Sequence, residues 1–472
     1  MQCRLRTEAW LLFALAAALS SWPLVAKAAF VTMVNNGPST NRVNVMFMGD
    51  GYTSAEIGTK YVSDINAMLG HMFNAGEDPF PRYHSFFNAY RIDVVSNQSG
   101  ADVPPLGIFK NTALDASYYF DGTTERLLSV DLGKANAALA AGVGTSGLRV
   151  DMKLVTVNDT RYGGGGGTFA VYAGGNAQAP EIALHEMGHS FAGLADQYGG
   201  TPGPYTGPEP SEPDVTKSSG GQKWSQWLDY NQPGVGVIGA YQGGRYFDAG
   251  IYRPSLDSKM RTLGMPFDAV GREQIILDIY KLVRPLDSWL SNTVVQTNPA
   301  SLWVDSVDPS VIDVEWRVNG QLVAGAQGES FRLRDYGYGP GTYTVTARAF
   351  DPTDWVRINL NLLQESIVWN VVLTTILGDV NNDGVVDIFD INLVSANWGH
   401  AGPAGDANGD HVVDIFDINF ISAHWTPTGG ASSVPEPSSL FLAAMGSATL
   451  AVVALRARRK PLKDVASLTL AA

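Results

Sequence analysis

The sequence predicts an α+β chain of several domains: a mixed α/β layer first, an all-β sandwich next, and a small pair of helices last. Three observations carry this reading. Strand and helix signals alternate from Val43 to about residue 290; from 291 the pattern turns to short alternating strands; and two near-identical Asp-rich loops recur 27 residues apart, each leading into a short apolar stretch. With 472 residues and 51 glycines the chain is long enough for several cores and rich in loops.

At the start, Arg4 and Arg6 precede an apolar run from Ala9 to Val25, and Ala26-Lys27-Ala28 offers a small-x-small site. Residues 1–28 therefore read as a secretory signal peptide cut after Ala28, the alternative being an N-terminal membrane anchor. Cys3 is the only cysteine and lies inside that segment, so the exported chain must be held by core burial and bound ions instead of disulfides. The formal charge is −14; removing residues 1–28 and 434–472 leaves 24 basic against 43 acidic residues, or −19. A basic footprint for phosphates is missing, which argues against a nucleic-acid partner.

Val43 to Met48 reads as a buried strand, Gly49-Asp50-Gly51-Tyr52 as a turn, and Thr53 with Glu56 as a capping box opening a helix to about Asn74. Tyr90 to Val95 and Val150 to Val157 are further strands, and 124–141 reads as a helix on Leu127, Leu128, Val130 and Leu132. Five glycines, Gly163 to Gly167, are followed by no Gly-Lys-Ser/Thr and open no helix, which rules out a phosphate loop. They read as a mobile loop or as a backbone rim beside a cleft, along which an extended chain can pair as an added strand.

Pro180 suits a first helical turn, and 180–192 carries His185-Glu186-Met187-Gly188-His189 before Gly193 ends the helix in a left-handed conformation. Histidines four apart share one helix face, so His185 and His189 can hold one metal ion while Glu186 serves as general base toward water activated by it. That is zinc-hydrolase chemistry, and it needs a third protein ligand. No histidine follows His189 before the Asp-rich loops, so Asp196 is the simplest third ligand, with a more distant carboxylate, His71 or His84 as alternatives. Tyr252 and Arg253 are candidates for stabilising the oxyanion, with Tyr252 preferred as the catalytic partner of Glu186. Residues 199–222 look like a surface loop without chemistry, Trp224 and Trp227 open a more structured stretch, and 270–283 is a helix.

The sandwich strands are Leu302 to Val304, Val311 to Val318, Ser330 to Leu333, Tyr343 to Ala349 and Ile367 to Leu373, with Asn319-Gly320 as a hairpin turn. In the repeated loops, Asp379, Asn381, Asp383, Asp387 and Asp390, with the carbonyl of Val385, match the oxygen spacing of a calcium loop. Asp406, Asn408, Asp410, Asp414 and Asp417, with the carbonyl of Val412, do so again, although His411 stands where the first loop has the turn residue Gly384. Two structural calcium ions are expected. At these residues 378–425 resembles a type I dockerin, a family that docks onto cohesin domains; the alternative is a calcium-stabilised spacer with no partner.

Val434-Pro435-Glu436-Pro437, an apolar run from Leu440 to Leu455 and the basic Arg456, Arg458, Arg459 and Lys460 resemble the PEP-CTERM sorting signal, which implies an exosortase partner, passing membrane association and an exported protein. A plain C-terminal transmembrane anchor is the alternative.

His185 to Asp196, with Gly193 between, is close to the metzincin pattern but one residue longer before the glycine and ending in Asp, and Met260 would serve as its methionine turn. Together with Gly49-Asp50-Gly51-Tyr52, Tyr252-Arg253-Pro254 and Ser258-x-Met260-Arg261, these motifs resemble the IgA-peptidase family over about 40–375. The resemblance implies a metzincin-like zinc endopeptidase with His185, His189 and Asp196 as ligands and Glu186 as acid/base, acting on a protein or peptide. Asp196-Gln197-Tyr198 departs from the Asp-Glu-Tyr expected there. The other class of reading is a non-catalytic surface adhesion or assembly protein with structural zinc and calcium. The resulting map is 1–28 signal peptide, 29–290 catalytic domain, 291–376 sandwich, 377–426 dockerin-like repeats, 427–437 linker, 438–460 sorting segment and 461–472 tail.

Overall fold

The computed structural model describes residues 30–74 and 77–426. The signal peptide and the linker, sorting segment and tail from 427 onward lie outside the described residues. The chain forms two compact units, one running to Arg332 and taking in Thr342–Val371, the other holding Leu333–Gly341 and the chain from Val372.

The first unit is built on a six-stranded sheet in the order β1-β3-β2-β4-β6-β5, with β1 Phe30–Val34, β2 Val43–Asp50, β3 Phe87–Ile92, β4 Met152–Val157, β5 Gly164–Gly165 and β6 Ala170–Ala173. The strands β3, β2, β4 and β6 run parallel, and β1 and β5 close the edges antiparallel. A central parallel strand is covered on both faces, which is why Val43 to Met48 is apolar without alternation; every residue of β2 is buried. The helices are α1 (Lys60–Asn74), α2 (Leu132–Val143), α3 (Ala179–Ala192) and α4 (Ala269–Leu282). Met46 and Met48 share a core with Val155, Val171 and Ala135 of α2, while α3 lies along β6 and packs against α1 and α4. Asp50 fixes the Gly49–Tyr52 turn by accepting from the N–H groups of Leu114 and Ala116, each at 2.8 Å. Gly51 sits at φ 70° where a Cβ would fall 2.2 Å from the carbonyl of Gly100, so this position admits only glycine.

Two helix starts differ from expectation. Glu56 does close on the N–H of Thr53 at 2.9 Å, yet 54–59 are turns and α1 begins at Lys60. The helix expected over 124–141 begins at Leu132, capped by Asp131, which accepts from the N–H of Lys134 at 2.8 Å. Upstream, Leu128 and Val130 are buried alternately, a period of two, and Ser129 exchanges hydrogen bonds with Ser117. Residues 199–222 are more than a surface loop, because they contain β7 (Thr201–Pro204) and the buried Asp214 and Val215. A hairpin of β8 (Asn231–Gln232) and β9 (Gly236–Val237) follows, then β10 (Tyr241–Gly244) and β11 (Phe247–Arg253), which joins β10 and β7 in one sheet.

The remaining strands are β12 Leu286–Trp289, β13 Gln296–Thr297, β14 Leu302–Ser306, β15 Asp313–Val318, β16 Gln321–Gln327, β17 Ser330–Phe331, β18 Gly341–Phe350 and β19 Gln364–Leu373. They form sheets ordered β12-β14-β17 and β13-β19-β18-β15-β16. Trp316 stacks on Phe331 at 5.1 Å and on Trp369 at 5.7 Å, joining the two sheets through aromatic area. Asn319 and Gly320 make the expected turn, at φ 50° and 81°, and pair Val318 with Gln321. The strand after it, β16, lacks the apolar alternation that would have announced it.

In the second unit, α5 (Ile388–Ala396) and α6 (Ile415–Ala423) enclose Val386, Val394, Val413 and Ile421. Each helix begins with a complete capping box, Asp387 with Asp390 and Asp414 with Asp417. Among the described residues no helix is long and apolar enough to cross a membrane.

Candidate metal centre

Helix α3 has Pro180 in its first turn and ends where Gly193 takes φ 62° and donates to the carbonyls of Gly188 and His189. The reversal turns the carbonyl of Leu194 back to receive Nδ1–H of His189 at 2.7 Å, and the carbonyl of Lys259 receives Nδ1–H of His185 at 3.0 Å. Both Nε2 atoms are thereby left as lone-pair donors facing the same point. They stand 3.2 Å apart, and Oδ1 of Asp196 lies 3.1 Å from His185 and 3.3 Å from His189. Donors about 2 Å from a tetrahedral zinc ion stand about 3.3 Å from one another, so this triangle fits one such ion. Three lone-pair atoms this close repel one another unless a cation or protons lie between them. Burial opposes charge on His189, yet the Asp196 carboxylate raises its pKa to about 9; burial likewise opposes ionisation of Asp196, and the two imidazoles nonetheless hold it far below the usual carboxylate range.

The other oxygen of Asp196 accepts from the phenol of Tyr246. Tyr246 and Arg245 form the two-residue tip of the β10–β11 hairpin, both left-handed, at φ 70° and 48°. Asn-Gly normally fills such a tip, and non-glycine residues there cost roughly 1–2 kcal/mol each. The tip is held by Arg245 N–H to the Asp196 carbonyl at 2.7 Å and Tyr246 N–H to the Tyr198 carbonyl at 2.9 Å. Strain is thus stored where it fixes both the backbone and the carboxylate of Asp196.

Glu186 is buried, and that burial raises its pKa. Its surroundings explain the glycine run. A Cβ at Gly164 would fall 2.9 Å from Oε1 of Glu186, and one at Gly166 would fall 2.9 Å from Oε2 and 3.0 Å from Cβ of His189. The edge at Gly164 is already paired, its N–H to the carbonyl of Arg126 at 3.0 Å and its carbonyl from Leu128 N–H at 3.1 Å. Gly164 and Gly166 therefore leave clearance beside Glu186, while Gly163 and Gly165 clear the ring of Tyr118 and the carbonyl of Leu128, and at Gly164 there is no open edge for an added strand. Gly188 serves clearance on the other side, where a Cβ would meet the thioether of the buried Met260 at 2.6 Å.

Gln197 is the centre of a buried polar cluster. Its amide nitrogen donates to Asp214 and to Asp268, each at 3.0 Å, and its oxygen accepts from Ser258 at 2.9 Å. A glutamate here would crowd three carboxylates together, whereas the amide donates to both of its acidic neighbours. Burial pushes Asp214 up to about 7. Asp214 also receives the N–H of Ala195 at 2.8 Å, so the loop read as chemically silent braces the segment carrying Asp196.

Tyr252 pairs with Gln242 on the β10–β11 ladder and bridges to Thr216 through its backbone, and it is not among the residues lining the two cavities at the histidines. Arg253 donates to the carbonyls of Gln242 and Gly243 and is a fastener of that hairpin. The tyrosines that line the cavities at the two histidines are Tyr162, Tyr198 and Tyr246. No local motif announces Tyr246, since its position follows from a hairpin closing 50 residues after Asp196. His71 belongs to a separate cluster, 2.9 Å from Glu181, where the buried ammonium of Lys259 already bridges Glu181 and Glu77. His84 neighbours Ser85.

In the second unit, Asp379, Asn381, Asp383 and Asp390 converge through hydrogen bonds within their loop, and Asp406, Asn408, Asp410 and Asp417 repeat the arrangement. One oxygen of Asp379 is buried with no hydrogen-bond partner, and burial raises the pKa of both Asp379 and Asp390. Asp387 and Asp414 accept from the N–H groups of Phe389 and Phe416 as helix caps. His411 takes the left-handed φ of 69° that glycine usually fills.

No curated protein matches the chain. A family model described as PEP-CTERM protein-sorting motif matches residues 433–460, which points to export with sorting to the cell surface or envelope. A family model described as IgA Peptidase M64 matches residues 31–235, a span that includes His185, Glu186, His189 and Asp196 and stops short of Tyr246 and Met260, and this similarity supports a metallopeptidase in that part of the chain.

Proposed function

We propose that this chain is an exported zinc-dependent endopeptidase in which His185, His189 and Asp196 hold the metal and Glu186 is the general base. The observation that carries the reading is the triangle of Nε2, Nε2 and Oδ1 atoms at 3.1–3.3 Å, with a buried glutamate beside it. Zinc bound there supplies Lewis acidity, polarising a carbonyl and acidifying water. Glu186 takes the proton from the attacking water and returns it to the leaving amine, a task suited to a carboxylate whose pKa burial has raised. The phenol of Tyr198 is a donor at hand for the developing oxyanion, because it accepts from Arg126 and keeps its own O–H, whereas the single O–H of Tyr246 is given to Asp196.

The test is turnover of a casein or peptide library by wild type, by Glu186→Ala and by wild type with a chelator. Cleavage is expected in the first alone. Equal cleavage in all three, or none in wild type carrying one equivalent of zinc, would return the chain to the adhesion or assembly class.

The Asp-rich loops extend the proposal with two structural calcium ions, one held by Asp379, Asn381, Asp383, Asp387, Asp390 and the Val385 carbonyl, the other by Asp406, Asn408, Asp410, Asp414, Asp417 and the Val412 carbonyl. The unpartnered buried oxygen of Asp379 supports the first, although Arg334 lies 3.6 Å from its other oxygen. A dockerin-like unit would take a cohesin-type partner, and the sorting segment an exosortase.

A further inference from the structure

A cavity of about 250 Å³ adjoins Glu186 and His185, and its wall carries two guanidinium groups, Arg126 and Arg261, in a protein whose formal charge is −14. The two come from distant parts of the chain, one from the segment paired to the Gly164 edge and the other from the residue after Met260. Among the described residues neither has an ion-pair partner closer than 3.9 Å. Arg126 donates to the phenol of Tyr198 at 3.3 Å and lies over its ring, and among the described residues it makes no ion pair within 4 Å. Arg261 donates to the carbonyl of Leu256 at 3.1 Å and stands 3.9 Å from Asp257, a loose contact between two partly exposed side chains.

We propose that this cavity is a substrate subsite for a carboxylate next to the scissile bond, bound by Arg126 and Arg261; the proposal rests on the peptidase reading above. Arginine presents donors in a planar fork that matches a carboxylate, and two such groups with spare donors beside the catalytic glutamate favour an anionic residue at that position. A neighbouring cavity that also touches Gly164–Gly166 is lined by Leu127, Leu128, Val130 and Phe169 and carries no cationic side chain. The carboxylate can come from an aspartate or glutamate side chain or from a free C-terminus.

The experiment compares kcat/KM for matched peptides in which each position flanking the cleaved bond carries Glu, Gln or Lys, with free and amidated C-termini. Wild type is expected to favour the acidic peptide over its amide on the order of ten- to a hundred-fold, as charge-assisted hydrogen bonds imply. Arg126→Gln and Arg261→Gln should each shrink that ratio, and Arg261→Glu should move the preference toward Lys; Arg261, partly exposed on a loop, keeps the test alive if Arg126→Gln fails to fold. Preference for an internal Glu assigns the subsite to a side chain, and preference for a free terminus assigns it to the α-carboxylate; both support it. Cleavage with no preference, or a preference that survives both arginine replacements, overturns the subsite alone. Absence of any cleavage with zinc bound overturns the peptidase reading and the subsite with it.

Discussion

Replacing Gly166 by alanine isolates what the glycine run does. Gly166 lies outside the left-handed region, so a Cβ costs nothing in backbone conformation, and the change should stabilise the fold by about 0.4–1 kcal/mol through the unfolded chain. Against that stands steric crowding. The new atom would lie 2.9 Å from Oε2 of Glu186, 3.0 Å from Cβ and 3.1 Å from Cδ2 of His189, where ordinary contact begins near 3.4 Å. Relief requires both side chains to move by several tenths of an ångström, an overpacking cost of about 1–3 kcal/mol. The net loss of stability should be small, about 0–2.5 kcal/mol, read by thermal unfolding. Activity should fall much further, on the order of ten- to a hundred-fold in kcat/KM, because a misplacement approaching 1 Å at a reacting group costs about that much. Gly167→Ala is the control: it meets no atom within 4 Å but sits at φ 132°, so it should lose stability more than rate. A Gly166→Ala enzyme that turns over peptide at the wild-type rate would refute the clearance argument and restore the mobile-loop reading.

Other outcomes follow from the same geometry. Asp196→Asn should sharply lower zinc occupancy measured by elemental analysis, and stoichiometric zinc in that variant would place the third ligand elsewhere. Tyr246→Phe frees Oδ2 of Asp196 and should weaken zinc binding about 10–100-fold in a competition titration. Asp351 receives Arg82 at 2.7 Å and the phenols of Tyr83 and Tyr280 at 2.5 and 2.9 Å; Asp351→Ala strands a cation and two hydroxyls, and should destabilise the first unit by about 3–5 kcal/mol in calorimetry. Because Asp214 titrates near 7 when folded and near 3.8 when unfolded, the native state holds the extra proton between those values. Its contribution to stability is complete below pH 4 and is lost as pH rises through 7, so denaturant midpoints should fall across that window less steeply in Asp214→Asn than in wild type. Calcium chelation of the whole chain should open residues 378–425 to protease, and unchanged protection would remove the calcium proposal.

What could be read from the sequence was what lies close along the chain. His185, His189, Gly193 and Asp196 fall within twelve residues, so helical periodicity and one left-handed glycine bring them together without tertiary help. The failures share one cause. Leu127, Leu128 and Val130 fit a helical face and a strand equally well, and only the pairing of Ser129 with Ser117 settles the period. Asp214 carries no local motif, and its meaning appears only once Ala195 and Gln197 reach it.

The glycine run shows why composition cannot separate two opposite roles. Glycine supplies freedom where a chain must bend and clearance where it must not push, and a sequence records the missing side chain without saying which. Here Gly164 and Gly166 take no left-handed conformation and leave room for the two oxygens of Glu186, while Arg245 and Tyr246 take left-handed conformations that glycine would have adopted without cost. The chain therefore places side chains where the backbone resists them and withholds side chains where it does not. Both departures have the same beneficiary. Tyr246 must keep its phenol to hold Asp196, and Glu186 must keep its carboxylate unobstructed, so the candidate centre accounts for strain on one wall and for emptiness on the other.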